Sequence, residues 1–217
     1  MSGSAVDLRV TEIFLSLQGE GRTIGWPTTF VRLTGCPLRC SYCDTEYAFH
    51  GGERMTVPAI MGQIRGNNVD HVTVTGGEPL AQKGVYPLLE QLCDAGYKVS
   101  LETGGMLDIS EVDHRVNRVV DLKTPGSGEE EKNLWSNLDQ LTHHDQLKIV
   151  MVDRADYDWF LPILREHKLE QQCEVIFSPA AGKLAPSELA SWILDDSLHV
   201  RFQIQLHKVL WGDEPGR

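Results

Sequence analysis

Apolar positions along the 217-residue chain fall into short β-branched runs, separated by stretches whose apolar residues recur at helical spacing. Strands are expected over 10–15, 28–33, 71–75, 97–102, 118–122, 146–151, 173–177 and 200–206, where Val, Ile, Phe, Leu and Thr dominate. Helices are expected over 56–64, 85–95, 110–114, 134–141, 156–167 and 186–194. Thr56 is placed to cap the first of these with Pro58 in its first turn, and Pro186 opens the last. In 85–95, Val85, Leu88, Leu89 and Leu92 share one face. The acidic stretch 126–132 reads as a solvated loop.

Strand and helix alternate throughout, and the strands are too apolar to leave one face in water. That pattern predicts a mostly parallel sheet covered by helices, an α/β fold. About six to seven core strands are too few for a closed eight-stranded barrel, so an incomplete (β/α) barrel is expected, with a flat doubly wound sheet as the alternative. The length fits one domain over 1–217, and neither linker nor internal repeat interrupts it. In such folds ligands bind beyond the carboxyl ends of the strands. Those ends would carry residues 36–43, Gly76-Gly77-Glu78, Glu102-Thr103, Lys123, Lys148, Ser178 and His207-Lys208, so one mouth is expected to collect the chemistry.

Three cysteines follow the second strand in one tight loop, Cys36, Cys40 and Cys43, spaced Cys-x3-Cys-x2-Cys. Thiols this close suit a single metal centre. A disulfide would leave one of them unpaired. Three thiolates can hold an iron–sulfur cluster with one iron open to a ligand, whereas three thiolates with His50 or His71 would suit tetrahedral zinc. Cys93 and Cys173 lie among apolar neighbours and read as core thiols. The formal net charge of −11 argues against a nucleic-acid partner, so an acidic ligand would have to be met by a few local cations. No apolar run approaches the ~20 residues of a membrane helix, and the N-terminus has no signal-peptide pattern. A cytoplasmic protein with no membrane partner is expected, where clustered thiols read as metal ligands.

The cysteine loop, with Tyr42 before its last cysteine, resembles the cluster loop of the radical S-adenosylmethionine superfamily, and Gly76-Gly77-Glu78-Pro79 resembles that superfamily's glycine-rich motif. Taken alone, the glycine motif would serve equally well as a strand-to-helix turn. Leu17-Gln18-Gly19-Glu20-Gly21, Phe30-Val31-Arg32, Cys43-Asp44-Thr45, Thr75-Gly76-Gly77-Glu78, the segment 121–125 and the segment 205–211 together resemble the 7-carboxy-7-deazaguanine synthase family over nearly the whole chain. That resemblance implies a lyase of queuosine and deazapurine synthesis that turns 6-carboxy-5,6,7,8-tetrahydropterin into 7-carboxy-7-deazaguanine with loss of ammonia. It would use a [4Fe–4S] cluster, S-adenosylmethionine, magnesium and an external, flavodoxin-like reductant, as a homodimer.

By the same resemblance Cys36, Cys40 and Cys43 ligate the cluster and Thr45 the magnesium. Tyr42, Cys43, Asp44, Gly77, Glu102, Asp121, Leu122, Lys123 and Ser178 would contact S-adenosylmethionine. Leu17, Gln18, Gly19, Arg32, Thr75, His207 and Arg217 would contact the pterin. The sequence departs from the family pattern in the long acidic stretch between Leu122 and Lys148, in Ser178-Pro179 where some relatives have Gln-Pro, and in a tail beyond Trp211. Two other readings stay open on the residues alone: a glycyl-radical-enzyme activating protein and a non-enzymatic zinc-binding module.

Overall fold

The computed structural model describes residues 7–216, so Arg217 lies outside the described residues. Nine strands form one sheet: β1 (Asp7–Leu17), β2 (Pro27–Leu33), β3 (Glu53–Thr56), β4 (His71–Gly76), β5 (Lys98–Thr103), β6 (Asn117–Asp121), β7 (Gln146–Met151), β8 (Glu174–Pro179) and β9 (Arg201–Phe202). Their order is β3-β1-β2-β4-β5-β6-β7-β8-β9. From β2 to β9 every neighbouring pair is parallel, while β1 runs antiparallel to both β2 and β3. The two edges, β3 and β9, do not meet, which makes this the expected incomplete barrel. The α-helices among the described residues are α1 (Val57–Gly66), α2 (Val85–Asp94), α3 (Arg154–Glu166), α4 (Leu169–Gln172), α5 (Pro186–Asp195) and α6 (Leu206–Trp211), with short 3-10 turns between elements.

The strands differ from the expectation in one instructive way: they alternate. Val72, Val74, Val99, Leu101, Val120, Leu122, Leu147, Ile149, Val175 and Phe177 point outward into the core shared with α1, α2, α3 and α5. The residues between them point inward and are largely polar, among them Thr73, Thr75, Ser100, Glu102, Asp121, Gln146 and Lys148. Side chains of a strand alternate in this way, so a polar inner face goes with an apolar outer one. Lys148 is therefore the third residue of β7 and faces the interior, rather than standing at a strand exit.

Thr56 caps α1, its hydroxyl accepting from Ala59 N at 3.3 Å, and Pro58 lies in the first turn as expected. Between β5 and β6 no helix forms over 110–114. Asp108 and Asp113 instead accept from the backbone N–H groups of Ser110 and Arg115, which locks turns. The segment 134–141 tightens to a 3-10 helix, Trp135–Gln140. The expected last strand shrinks to two residues; just past it Gln203 N still donates to Phe177 O on β8 (3.0 Å), while its side-chain amide accepts from Gly21 N at 2.6 Å and donates to Gly21 O at 3.0 Å.

That grip belongs to a larger device. The β1–β2 connection crosses the concave side of the sheet and touches strands on both halves. Gln18 donates to Thr73 on β4 and Glu102 on β5, Glu20 pairs with Lys148 on β7, and Arg22 reaches Glu174 at the start of β8. A hairpin loop thus floors the half-barrel where a closed barrel would be filled by side chains. β3, which the hydrophobic pattern does not predict, pairs at the outer edge of β1, with Met55 its one apolar residue packed against the core.

Arg118 on β6 grips the buried Asp145, which precedes β7, through Nε–Oδ1 (2.8 Å) and Nη2–Oδ2 (2.6 Å). Burial works against the Asp145 charge, but Arg118 and the Thr142 amide hold its pKa below the ordinary 3.8. A depressed carboxylate pKa adds stability above the ordinary value, and that stability is lost as pH falls through the folded-state value. Asp145→Asn should therefore lower unfolding free energy by about 3–5 kcal/mol at neutral pH. It should also flatten the loss of stability below about pH 4, read from urea titrations at several pH values.

Candidate active site

The inner face and the loops at the strand ends enclose a cavity of about 670 Å³, a size usual for small-molecule sites. Cys36, Cys40 and Cys43 line one side of it. Burial pushes all three thiols up, and Cys40 feels the charge of both others, so the three share one electrostatic neighbourhood. Among the described residues no three His, Cys, Asp or Glu side chains are grouped closely enough to hold one metal ion. His71 stacks on Trp26 at the opposite end of β4, 5.4 Å between ring centroids, and His50 is exposed and outside the cavity. Neither supplies the fourth ligand a zinc site needs. A four-iron cluster, larger than a single ion, bridges thiols set further apart, and the donor set of three thiols fits it.

Backbone contacts hold the cysteine loop in place. Glu78 N donates to Gly35 O (2.8 Å) and Gly77 N to Leu33 O (3.0 Å), so the glycine motif lies main chain to main chain against the start of the cysteine loop. A Cβ on Gly77 would strike the Gly35 carbonyl and come within 2.8 Å of Cys36 Cβ. Gly76 has φ +149°, and a Cβ there would meet Leu33 backbone. Glu78 ties the motif to β5: it accepts from Leu80 N (3.0 Å), Thr103 Oγ1 (2.8 Å) and Gly104 N (2.7 Å). Both sequence readings of this motif are compatible with the geometry, a capped turn and a surface where a ligand can approach bare backbone.

The acidic stretch 126–132 is not a free solvated loop; it clasps the cysteine loop. Glu129 is buried and accepts from Arg39 N at 2.5 Å, and Ser41 N donates to Ser127 O at 2.9 Å. Lys132 and Lys183 donate to the carbonyls of Pro37 and Ser41.

Elsewhere on the cavity wall, Thr75 Oγ1 donates to Glu102 Oε2 at 3.0 Å and Gln18 Nε2 to Glu102 Oε1 at 3.2 Å. Burial pushes the Glu102 carboxyl up and nearby Lys148 opposes that shift. Arg32 Nε donates to Glu12 Oε1 (2.7 Å), which also accepts from Tyr47 OH (2.8 Å). The Arg32 guanidinium lies between the rings of Phe14 and Tyr47, 5.7 and 5.8 Å from their centroids. Deeper in, Lys123 Nζ pairs with Asp121 Oδ2 at 2.6 Å, and Lys148 pairs with Glu20 and, at 3.4 Å, with Asp121 Oδ1. Burial disfavours both ammonium groups, but the surrounding carboxylates hold their pKa values above the ordinary one.

Asp44 receives the Thr45 hydroxyl at Oδ1 (2.6 Å) and faces Gln205 Nε2 (3.2 Å), His207 Nε2 (3.7 Å) and Lys208 Nζ (4.0 Å) at Oδ2. Burial opposes its charge, yet the His207, Thr45 and Lys208 groups hold its pKa well below the usual carboxylate range. Gly19 lies so close to His207 that a Cβ would strike its ring.

The cavity wall thus gathers Leu17, Gln18, Gly19, Arg32, Tyr42, Asp44, Thr45, Thr75, Gly77, Glu102, Asp121, Lys123 and His207 with the three cysteines. Two expected residues are elsewhere. Leu122 is packed in the outer core, as its parity between Asp121 and Lys123 demands. Ser178 is buried and does not line the cavity, and Ala180, Ala181, Gly182 and Lys183 form that wall. Glu20, Lys148 and Gln205 line the site without having been assigned a role; strict alternation along β7 would have pointed Lys148 inward from sequence.

A half-barrel whose cavity gathers three thiols beside a bare-glycine turn is the arrangement of a radical S-adenosylmethionine enzyme, and residues 30–124 match the model described as "Radical SAM superfamily". The 7-carboxy-7-deazaguanine synthase of Chlorobaculum tepidum is 44% identical over 210 residues, 95% of this chain and 96% of the relative. The enzyme of the same name from Koribacter versatilis is 43% identical over 225 residues, 95% and 98% of the two chains. The chain belongs to the 7-carboxy-7-deazaguanine synthase family. A solved structure, "Crystal structure of QueE from Escherichia coli", superposes with a TM-score of 0.75 at 22% identity, covering 93% of this chain and 95% of that one, which shows the shared fold.

Gly77→Ala should push the cysteine loop away from the glycine turn. The expected outcome is a folded protein, by circular dichroism, that takes up much less iron and sulfide on anaerobic reconstitution than the unsubstituted chain.

Proposed function

We infer that this chain converts 6-carboxy-5,6,7,8-tetrahydropterin to 7-carboxy-7-deazaguanine with loss of ammonia, as an enzyme of the queuosine pathway. One observation carries the reading: a single cavity brings three thiols together with acceptor side chains and one arginine. Relatives named for this activity, matched over nearly their whole length, support it. Cys36, Cys40 and Cys43 would hold the [4Fe–4S] cluster, and Gly77, Tyr42 and Lys123 border the space for S-adenosylmethionine. When bound, these cofactors supply a 5′-deoxyadenosyl radical able to take a hydrogen atom from an unactivated C–H bond.

The chain's own residues bind, orient and exclude water. Arg32 is held through Nε, and its Nη groups make no protein hydrogen bond among the described residues, which leaves them for the substrate carboxylate. Glu102, Glu20 and Gln18 offer oxygens to the N–H edge of the pterin ring. Thr45 would ligate magnesium, its proton committed to Asp44 and its lone pairs left for a hard cation. The magnesium would draw charge from substrate oxygens.

An external reductant, a homodimer and a cytoplasmic setting belong to the same reading. Val209 and Leu210 on α6 are exposed apolar residues that a second copy would cover, and all five cysteines are free, as a reducing compartment requires. No helix of the described residues is long and apolar enough to cross a membrane.

Anaerobic incubation of reconstituted enzyme with the carboxytetrahydropterin, S-adenosylmethionine and a reductant should yield a deazapurine absorbance. Adenosyl cleavage that depends on a partner polypeptide instead would favour a glycyl-radical activating protein. Cys40→Ala should lose the brown cluster absorbance and all turnover; product formation by that variant would overturn the reading. Thr45→Ala should keep the cluster spectrum and lower turnover, and the loss should depend on magnesium concentration.

A further inference from the structure

A string of alternating charges crosses the cavity, and none of the sequence motifs accounts for its middle member. Lys123 pairs with Asp121, Asp121 with Lys148, and Lys148 with Glu20. The Gln205 amide carries the string onward, donating to Glu20 Oε1 at 2.8 Å and to Asp44 Oδ2 at 3.2 Å. The Lys123 ammonium lies 6.0 Å from the Tyr42 ring centroid, so both ends of the string return to the cysteine loop. Among the described residues Lys148 is the group that ties Glu20 to the strands of the sheet.

Burying an ammonium is costly unless carboxylates surround it. Asp121 alone could have supported a structural lysine here. The second partner is different in kind, because Glu20 belongs to the floor loop and lines the cavity. Lys148 takes Glu20 Oε2 and Gln205 takes Oε1, so both oxygens are held in direction. A carboxylate has about four acceptor positions, so each oxygen keeps one for a ligand N–H.

We propose that Lys148 is a positioning residue: it fixes the Glu20 carboxylate in the single orientation that receives the N–H edge of the bound pterin. This rests on the function proposed above. Its main effect is on substrate binding and alignment, and cluster assembly stays as it is.

The test uses reconstituted holoenzyme held without oxygen, with 6-carboxy-5,6,7,8-tetrahydropterin as the probe. Lys148→Met should weaken pterin binding by about tenfold or more, the loss expected when a charge-assisted contact goes. 5′-Deoxyadenosine released per product should rise, cluster absorbance should stay unchanged, S-adenosylmethionine affinity should fall much less than pterin affinity, and Lys148→Arg should restore much of the binding. Glu20→Gln should reproduce the binding defect, and adding Lys148→Met to it should weaken binding little further, because the lysine acts through that carboxylate. Pterin affinity unchanged in Lys148→Met, or additive losses in the double variant, would overturn the proposal. If Lys148→Met does not fold, Glu20→Gln decides, since normal affinity there leaves nothing for Lys148 to position. Failure of the unsubstituted enzyme to bind the pterin at all removes the proposed function, and this proposal with it.

Discussion

The site depends on an approach between two stretches of backbone that no side chain could share. Gly77 lies against the carbonyl of Gly35 and the Cβ of Cys36, and hydrogen bonds from Gly77 N and Glu78 N fasten the two turns together. The position of the first thiol is therefore set by main chain, on the exit of β4, rather than by flexible side chains. The other fastenings act on the same loop from outside. Glu129 grips Arg39 N, Ser127 takes Ser41 N, and Lys183 reaches the Ser41 carbonyl. The loop, anchored in itself by the buried Leu38, is thus fastened by three neighbouring segments.

The two faces of the sheet divide the work. The outer face buries Val, Leu and Ile against helices and supplies the stability that a half-closed barrel needs. The inner face can then afford buried charge. Glu102, Asp121, Lys123 and Lys148 would be ruinous in an apolar core, but here each has a hydrogen-bonded or charged partner. An acidic chain of net charge −11 thereby keeps Arg32, Lys123 and Lys148 in one cavity, where a carboxylated substrate and an amino-acid-bearing cosubstrate would need them.

Most of the fold was legible because strand positions are β-branched and helix positions periodic, and β7 and α2 lie nearly where the pattern puts them. The cysteine spacing and the glycine motif were legible because their chemistry is local. What escaped was non-local. The acidic stretch 126–132 reads as solvated until Arg39, some ninety residues away in sequence, brings an unpaired N–H to Glu129. The grip of Gln203 on Gly21 joins residues that no window of sequence contains. Lys148 was placed at a strand exit because the strand was read as uniformly apolar, although its alternation was already present in the letters.

The floor of the chamber is a hairpin tip, Gln18 to Arg22, whose first residue still bonds backbone to backbone with Gly25 and Trp26 and whose remainder is held by contacts to β7, β8 and the 203–206 segment. Inserting or deleting residues in that tip would raise or lower the bottom of the chamber without shifting the register of any strand. Depth, and with it the size of molecule admitted, is in this architecture a separately adjustable dimension.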